Sequence, residues 1–499
     1  MKLRTTFLSA AALMSIATAA GAQIPNSEYV ARRNALAQRL QNGIVVALGS
    51  PEPEEDFIAF NQNSQFRYLT GFLEPEAALV MVVRNGTVSG TPMLFVQSSD
   101  PAREVWTGHR LGVPAVRTEF GLEGRDAETL GRVVDSLLAL ETTTALFTIG
   151  NFHSDNPIKT RDTQIAESFK RDHMRTPIKE ANSDVSAIRR VKTAAELDFI
   201  RRAVNVTVTA QKDAMRVIEP GMNEFEVQAL IEYNFRKNGA DRPSFSTIVG
   251  SGPNSTTLHY GIDDRYIENN EVIVMDIGAS YRGYAADVTR TVPANGKFTP
   301  AQREIYLAVR AAQKAAEQVA KVNAPAHVLS DAANASLDVS LAKLGLIESA
   351  GATYDCDAGA TRQCSQRGLY YMHGLGHGIG LDVHDPGAAT GGNSPLVPGS
   401  AFTIEPGIYV RASLLEIIPN TPKNQAVIAK IRPAVQKYAN IGVRIEDDYI
   451  VTPTEVEWIS RAPRELEEVE ATMREKYTGP SARDAATVEA YRSTGRRVP

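Results

Sequence analysis

The sequence predicts an α+β protein with two domains, an α/β domain followed by a larger mixed α+β domain. The chain has 499 residues, of which 43% are hydrophobic, and this length suggests more than one domain. In the first third, short apolar runs alternate with helical segments, which is typical of an α/β domain. In the second half, helices with clear start signals separate β-like runs. We expect domains at residues 23–180 and 181–465, followed by a tail at 466–499.

The N-terminus predicts a secretory signal peptide at residues 1–22. MKLRTT is a short basic start, and FLSAAALMSIATAA is an apolar run too short for a good membrane span. Ala20-Gly21-Ala22 then offers the small residues that a signal peptidase reads. We expect cleavage after Ala22 and a soluble protein that is periplasmic or secreted, with no membrane partner. The alternative is an uncleaved N-terminal anchor.

Apolar periodicity and capping chemistry predict the elements. IVVAL, ALVMVVR, PMLFVQ and ALFTI predict strands in the first domain, and SEYVARRNALAQRL predicts its first helix. In the second domain, Thr299 with Pro300 and Gln302 forms a helix-start signal, and Asn223 with Glu226 forms another. The β-like runs there are EVIVMDIGA, YAADVTRTV, AFTIEPGIYV and VRIEDDYIV.

An acid interrupts each of these four runs: Asp276, Asp287, Glu405 and Glu446. A carboxylate inside an apolar strand is costly unless something pairs with it. A hairpin centred on residues 281–282 would place Asp276 directly opposite Asp287, where two acids repel each other unless a cation lies between them. The alternative, one acid in solvent and the other capping a turn, accounts for one aspartate but not for both.

The segment YYMHGLGHGIGLDVHD carries three of the chain's eight histidines, His373, His377 and His384. Its glycines let the backbone approach a ligand closely. Taken singly, each histidine would be a core or surface residue. Beside four acids, they predict a site for two divalent ions, Mn²⁺ above all, with Zn²⁺ or Co²⁺ possible. Bridging carboxylates could hold such ions roughly 3.5–4 Å apart.

Seven ordered motifs resemble a known family. DIGA, DVTRT, HGLGHGIGLDVHD, TIEPGIY and RIEDD resemble the pita-bread metallopeptidases, and NSQFRYLTGFLEPEA and EVWTGHRLG resemble the N-terminal domain of aminopeptidase P. The resemblance spans residues 28–465. It implies a creatinase/aminopeptidase P-type α/β domain followed by a pita-bread metallopeptidase domain.

The resemblance also implies residue roles. The metal ligands would be Asp276, Asp287, His377, Glu405 and Glu446, with Asp287 and Glu446 bridging both ions. The catalytic residues would be Glu405, which handles protons, and His373 and His384, which stabilise the developing oxyanion. The substrate pocket would involve His259, with Tyr409 and Arg444 in support, and Trp106 from a neighbouring subunit. The alternative for Trp106 is burial in its own domain.

The implied activity is a dinuclear-metal Xaa-Pro aminopeptidase that acts on proline-containing peptides as a homodimer or homotetramer. The nearest alternative is an Xaa-Pro dipeptidase (prolidase), and a more distant one is a metal-free creatinase-like hydrolase or binding protein. All five ligand positions carry competent residues, which argues against the metal-free alternatives. The net charge of −5 and the absence of a basic block exclude nucleic acid as an expected partner.

Three features depart from the family pattern. Gln65 stands where relatives often have an acid that supports the site, so that contact is in doubt. The segment 410–441 is longer than expected, and we predict a loop or flap at the site mouth. The chain's two cysteines, Cys356 and Cys364, lie in a loop that also looks added. In an oxidising compartment they could form a local disulfide, and the alternative is two free thiols.

Overall fold

The structure is a computed structural model that describes residues 24–55, 58–140, 142–152, 159–387, 392–483 and 485–494. The predicted signal peptide lies outside these residues. Within the described ranges, no helix is long and apolar enough to cross a membrane.

The first half of the chain forms one six-stranded mixed sheet with helices on both faces. The strands are β1 (Gly43–Leu48), β2 (Ala78–Arg84), β3 (Thr87–Val96), β4 (Glu123–Asp126), β5 (Leu146–Ile149) and β6 (Ile178–Glu180). The helices are α1 (Asn26–Leu40), α2 (Ser64–Thr70), α3 (Pro101–Thr107), α4 (Gly112–Phe120), α5 (Leu130–Leu138), α6 (Arg161–Asp172) and α7 (Asn182–Arg189), with a 3₁₀ turn at Ala127–Thr129. The strand order is β4-β3-β2-β1-β5-β6, and only β2 runs antiparallel to its neighbours.

The hydrophobic content of the strands explains this sheet. All six residues of β1 are buried, as expected for a central strand covered on both faces. Alternate residues of β1 enter different cores: Val45 packs with Phe66 on one face, whereas Ile44 packs with Phe169 on the other. The four strands and the first helix predicted for this half are therefore confirmed.

The second half forms several small sheets wrapped by helices. Its helices are α8 (Ala194–Val217), α9 (Glu224–Lys237), α10 (Pro300–Val319), α11 (His327–Lys343), α12 (Leu414–Ile417), α13 (Pro422–Tyr438), α14 (Leu466–Met473) and α15 (Ala485–Thr494). Its strands are β7 (Arg242–Pro243), β8 (Ile248–Ser251), β9 (Val272–Ile277), β10 (Ala279–Tyr281), β11 (Tyr284–Ala285), β12 (Val288–Pro293), β13 (Thr353–Asp355), β14 (Gln363–Ser365), β15 (Ala401–Ile404), β16 (Gly407–Val410), β17 (Ile441–Arg444), β18 (Asp447–Val451) and β19 (Val456–Trp458). Short 3₁₀ helices lie at Gly252–Thr256 and Gln366–Leu369.

Two groups of these strands surround the candidate site. One sheet has the order β12-β9-β8, the second has the order β15-β18-β19, and β16 pairs with β17. The groups are joined by hydrogen bonds between β12 and the segment that links β17 to β18. The amide of Glu446 donates to the carbonyl of Thr289 over 3.1 Å, and the hydroxyl of Thr291 donates to the carbonyl of Arg444 over 3.0 Å. These bonds hold the two groups side by side.

Ion pairs join the two halves of the molecule. Arg32 of α1 lies 3.2 Å from the carboxylate of Glu196 in α8, and its guanidinium stacks over the ring of Tyr68. Thr193, which caps α8, donates its hydroxyl to Glu28 over 2.7 Å. The domain bounds drawn from the sequence stay a prediction, but α14 belongs with the second half because Leu466 and Val469 enter its core.

The prediction of a loop or flap over residues 410–441 is wrong. This segment contains α12 and α13, and Val427, Ile431 and Val435 of α13 are buried in the main core of the second half. Their four-residue spacing and the Thr421–Pro422 start signal favour a helix. Helix α13 packs into the core and does not cover the site.

The two cysteines are joined by a disulfide that closes the β13–β14 hairpin, with their Cα atoms 5.7 Å apart. This hairpin docks on the start of α13. The side chain of Asn424 accepts from the amide of Asp355 and donates to its carbonyl, both over 2.9 Å. The two segments that look added to the family pattern therefore pack against each other.

The helix-start signals predicted at Thr299 and Asn223 are confirmed. Each side chain accepts from the first turn of its helix, and Gln302 or Glu226 completes a capping box. We predict that Thr299→Ala lowers the free energy of unfolding by about 1 kcal/mol, because an amide of the first turn of α10 loses its partner.

Chemical denaturation checks this prediction, and Thr209→Ala is the matched control. Thr209 is an exposed residue inside α8 whose hydroxyl only reaches back to the carbonyl of Asn205. Its loss should leave stability unchanged or slightly raised. Equal destabilisation by the two substitutions would contradict a specific role for the cap.

Candidate metal centre

Three of the four acids reach the common site because the strands around them are broken. Asp276 lies inside β9, but Asp287 lies between β11 and β12, Glu405 between β15 and β16, and Glu446 between β17 and β18. The prediction that each acid lies within a strand is therefore confirmed only for Asp276. At the other three positions the ladder stops, so the backbone can turn the side chain towards the common cavity.

The predicted register of the first hairpin is wrong by two residues. The turn is centred on Arg282 and Gly283, with φ angles of 49° and 78°, so Tyr281 pairs with Tyr284. This conformation suits a two-residue hairpin turn with positive φ at both central positions. Asp276 consequently faces Thr289. Asp287 comes two residues before Thr289, so the aspartates are diagonal neighbours instead of direct partners.

A cavity of about 290 Å³ brings the predicted residues together. It is lined by Leu258, His259, Asp276, Asp287, His373, Gly374, Gly376, His377, His384, Glu405, Arg444 and Glu446. All five predicted metal ligands, both predicted catalytic histidines, His259 and Arg444 therefore meet in one place. Tyr409 is fully buried behind Arg444 and His373.

Trp106 does not reach this cavity within its own chain. It lies on α3 in the first half and is 75% exposed. The alternative that it is buried in its own domain is wrong. Neighbouring Val105 is 79% exposed, so this helix presents apolar surface to solvent.

His377 has the geometry of a metal ligand. Its Nδ1 lies 3.1 Å from the carbonyl oxygen of Gly378, which indicates that Nδ1 carries the proton. The lone pair of Nε2 then faces the carboxylates of Asp287 at 3.5 Å and Glu405 at 3.4 Å. Burial, followed by the charge of His384, lowers the pKa of His377 to about 4, so the ring is neutral and able to bind a cation.

The carboxylates leave buried oxygens without partners. Asp276 Oδ1, Asp287 Oδ1 and Glu446 Oε1 have no hydrogen-bond donor in the part of the chain that the structure describes. An unpaired buried oxygen is expensive, and a cation would satisfy all three. Atoms of Asp287, His377 and Glu446 lie within 4.8 Å of one another. This donor set fits hard or borderline divalent ions.

The pKa values of the buried acids are raised by burial and by their mutual repulsion. Burial, then the charges of Glu446 and Asp276, raise the pKa of Asp287 well above its usual range. Burial and then Glu446 do the same for Glu405, and burial and then Asp276 raise the pKa of Glu446 to about 8. Without cations, these carboxyls hold protons at a pH where exposed carboxyls have lost them.

A hydrogen-bond chain supports one side of the site. Arg444 pairs with the carboxylate of Asp276 and donates to the hydroxyl of Tyr409 over 2.8 Å. That hydroxyl lies 2.9 Å from His373 Nε2, whose other ring nitrogen lies 2.8 Å from the carbonyl of Gly374. Because Tyr409 accepts from Arg444, it donates to His373, and the proton of the neutral imidazole is on Nδ1. Burial lowers the pKa of His373 to about 4.

The glycines of the histidine segment are required by close contacts. A Cβ atom on Gly376 would lie 2.0 Å from the carbonyl oxygen of Thr403, and one on Gly378 would lie 2.4 Å from that of Asp385. Any side chain there would push His377 away from the acids. These glycines therefore let the histidine segment pack closely on neighbouring backbone, whereas their expected role in close approach to a ligand stays a prediction.

Sequence reasoning missed several supporting residues. Thr289 donates its hydroxyl to Glu446 over 2.7 Å, and Thr403 accepts the amide of His377 over 3.1 Å. Asp385, directly after His384, is buried and pairs with both Arg189 and Lys192. The only signal in the sequence was the proximity of Thr289 and Asp385 to predicted site residues.

Gln65, which stands where relatives often have an acid, also contacts Arg189. Arg189 donates to the side-chain oxygen of Gln65 over 3.1 Å while it pairs with Asp382 and Asp385. The contact between the first half and the histidine segment is therefore kept, with a neutral partner at position 65.

Comparison with known families agrees with this geometry. Residues 198–453 match the model of metallopeptidase family M24, and residues 29–147 match that of the aminopeptidase P N-terminal domain. The chain belongs to the M24 metallopeptidases. Within them it is a member of the aminopeptidase P family, with the α/β N-terminal domain followed by the pita-bread domain, as the resemblance implied.

Individual relatives cover nearly the whole chain. An Xaa-Pro aminopeptidase of Escherichia coli is 31% identical over 471 residues, which are 90% of this chain and 98% of the relative. A human Xaa-Pro dipeptidase is 28% identical over 90% of this chain and 94% of its own length. The solved structure of proline aminopeptidase P II from Yersinia pestis has a TM-score of 0.75 at 29% identity, and covers 90% of this chain and 99% of its own.

The raised acid pKa values predict how the metal-free protein responds to pH. The folded form keeps protons that the unfolded chain releases above its carboxyl pKa of about 4.3. Stability should therefore fall as the pH rises from about 5 through about 8, the folded pKa of Glu446. Adding Mn²⁺ should reverse this loss, most strongly at the upper end of the range.

Melting temperatures of the chelator-treated protein at several pH values check this expectation. Glu446→Gln should flatten the pH slope, whereas Glu455→Gln, at an exposed surface position, should leave it unchanged. A melting temperature that is constant or rises between pH 5 and pH 8 without metal would contradict the repulsion described here.

Proposed function

We propose that the protein is an exported Xaa-Pro aminopeptidase that uses two divalent metal ions. It removes the N-terminal residue from peptides whose second residue is proline. The observation that carries this proposal is the convergence of Asp276, Asp287, His377, Glu405 and Glu446 on one cavity, in a chain of the aminopeptidase P family. Solved relatives from E. coli include an aminopeptidase P variant with substrate and the enzyme with the inhibitor Pro-Leu, which supports a peptide ligand here.

The chemistry follows from the donor set. Bound divalent ions would supply a water of near-neutral pKa and polarise the scissile carbonyl. Glu405, whose pKa is raised by burial and by Glu446, can take up a proton and return it to the leaving nitrogen. In an Xaa-Pro bond that nitrogen belongs to proline, and it must gain a proton to leave as an amine, as in any peptide bond.

The two histidines predicted to stabilise the oxyanion, His373 and His384, differ in their exposure and in their contacts. His384 is exposed at the cavity, with its ring centre 4.2 Å from that of His377. His373 has both ring nitrogens in contact with protein oxygens, so it must release one of them to donate to a substrate. His384 is therefore the better placed of the two to stabilise negative charge on the carbonyl oxygen.

The acidic cavity also suits the free α-amino group of the peptide's first residue. A free α-amino group is positive and would be attracted by carboxylates in a poorly solvated site. His259 is exposed at the rim, where it can contact bound peptide. Cleavage of one residue from a free N-terminus is the specificity that such an arrangement favours.

An Xaa-Pro dipeptidase is the second candidate, and the 28% identity to the human enzyme supports it. A dipeptidase must prevent longer peptides from extending past the site. Among the described residues, the added segment 410–441 does not line the cavity, so it does not supply such a barrier. This favours the aminopeptidase.

The metal identity, location and assembly belong to the proposal. Oxygen-rich ligation with a single imidazole favours Mn²⁺ over softer ions, with Zn²⁺ and Co²⁺ as alternatives. The N-terminal signal favours a periplasmic or secreted protein. A homodimer or homotetramer is supported by Trp106, because an exposed tryptophan beside exposed Val105 suits an interface.

A direct test offers the Mn²⁺-loaded protein an Xaa-Pro dipeptide and an Xaa-Pro-Yaa-Yaa tetrapeptide and identifies the products by mass. We expect release of only the first residue from the tetrapeptide. Glu405→Ala should abolish hydrolysis because the proton carrier and a ligand are lost together.

Glu416→Ala, in the helix α12 outside the cavity, is the matched control and should keep full activity. Cleavage of the dipeptide alone would establish the dipeptidase instead. Failure to cleave either peptide with metal bound would contradict the Xaa-Pro substrate class.

A further inference from the structure

A second cavity, of about 420 Å³, lies where the two halves of the molecule meet. Helices α1, α2 and α4 form one side of it, and α8 with the turn between β10 and β11 forms the other. It shares no lining residue with the metal centre. Its volume falls within the range of small-molecule sites in proteins.

Most of the charged side chains that line this cavity are basic. Four arginines line it, Arg32, Arg67, Arg202 and Arg282, against a single acid, Glu119. Two of the arginines have carboxylate partners: Arg32 pairs with Glu28 and Glu196, and Arg202 pairs with Asp198. The remaining two, Arg67 and Arg282, lie within ion-pair distance of no carboxylate in the described ranges.

Arg67 is the clearest sign of an uncompensated charge. It is half-buried, and its one hydrogen bond in the described structure runs to the carbonyl of Arg282 over 2.6 Å. Burial lowers the pKa of Arg67. Arg32 is more deeply buried, but Glu196 together with three tyrosines raises its pKa in spite of its desolvation. Asp241 raises the pKa of Arg67 by less than burial lowers it, so a bound anion would add a counter-charge at this half-buried guanidinium.

The backbone fixes the guanidinium of Arg67 against the turn that carries Arg282. Arg282 occupies the first central position of the β10–β11 turn, with a φ of 49°. The guanidinium of Arg67 packs against Gly283, where a Cβ atom would lie 2.1 Å from Arg67 Nη1. A side chain at position 283 would displace Arg67, so the glycine serves this contact as well as the turn.

Aromatic residues form part of the remaining wall, beside aliphatic ones such as Leu73 and Leu381. Phe199 stacks with Tyr284, with ring centres 5.5 Å apart, and lies 6.2 Å from Tyr281. Tyr29 and Phe120 line the cavity from the first half. Flat apolar walls suit a planar apolar body, which aromatic rings bind by stacking and edge contacts.

We propose that this cavity is a binding site for a small organic anion with a planar apolar body, such as an aromatic carboxylate or aromatic phosphate. Arg67 and Arg282 face the anionic group, and the rings of Phe199, Tyr281 and Tyr284 hold the planar part. The site is separate from the metal centre and does not depend on the proposed peptidase activity.

Isothermal titration calorimetry of the metal-loaded protein with 2-naphthoate tests the proposal. We expect saturable binding at one site per chain. Arg67→Gln and Arg282→Gln should each weaken it about tenfold, because each removes a charge-assisted hydrogen bond. Arg103→Gln, at an exposed arginine of α3, is the matched control and should bind as the unaltered protein does. Arg67→Lys should keep part of the affinity, since the charge stays.

Two other ligands test separately the contribution of the anionic group and that of the planar body. The neutral 2-naphthamide should bind at least about tenfold more weakly than 2-naphthoate if the anion matters. Inorganic phosphate should also bind more weakly if the planar body matters. Melting temperatures establish that each variant is folded.

Several results would overturn the proposal. One is the absence of saturable 2-naphthoate binding up to about 10 mM, which corresponds to less than about 3 kcal/mol of binding free energy. Another is unchanged affinity in Arg67→Gln and Arg282→Gln, which would assign the ligand to the metal centre. An affinity for 2-naphthamide or for inorganic phosphate equal to that for 2-naphthoate would contradict the proposed ligand class.

Discussion

The repulsion among buried carboxylates is the constraint on which the rest of this structure depends. Four acids face one cavity together with the imidazole of His377, and three of the carboxylate oxygens have no donor in the described structure. Protein groups offset only part of this charge, chiefly through Arg444 on Asp276. Divalent cations would offset the rest, so the fold of the second half and the occupancy of its metal centre would be thermodynamically linked.

The architecture follows from bringing acids of separate sheets to one point. Regular strands would place Asp287, Glu405 and Glu446 on ladders that alternate faces, whereas breaks in the strands let each side chain turn inwards. Small residues then allow the histidine segment to pack against β15, as the close contact of Gly376 with Thr403 shows. Arg189 ties that segment to the first half through Gln65, so the N-terminal domain contributes to the site without supplying a ligand.

Much of this could be predicted from the sequence, because local chemistry determines it. Buried runs such as IVVAL form strands, the caps at Thr299 and Asn223 are used, and all five proposed ligands meet. The hairpin register could not be predicted, since it depends on Arg282 adopting a positive φ. The breaks in the strands at Glu405 and Glu446 could not be predicted either, because each acid lies in a sequence that looks like one continuous strand. Helix α13 was mistaken for a loop although Thr421, Pro422 and the spacing of Val427 and Ile431 favoured a helix. The arginine-lined cavity depends on how the two halves pack, which no local pattern encodes.

The central claim is that the carboxylate cluster exists to hold two cations, and metal stoichiometry tests it most directly. The protein would be stripped of metal, dialysed against excess Mn²⁺ and then against buffer, and its metal content measured by mass spectrometry per mole of chain. The account predicts two ions per chain, with loss of both in a variant that removes the charge of two proposed ligands, Asp287→Asn with Glu446→Gln. Retention of no metal by the unaltered folded chain, or of equal amounts by that variant, would contradict it.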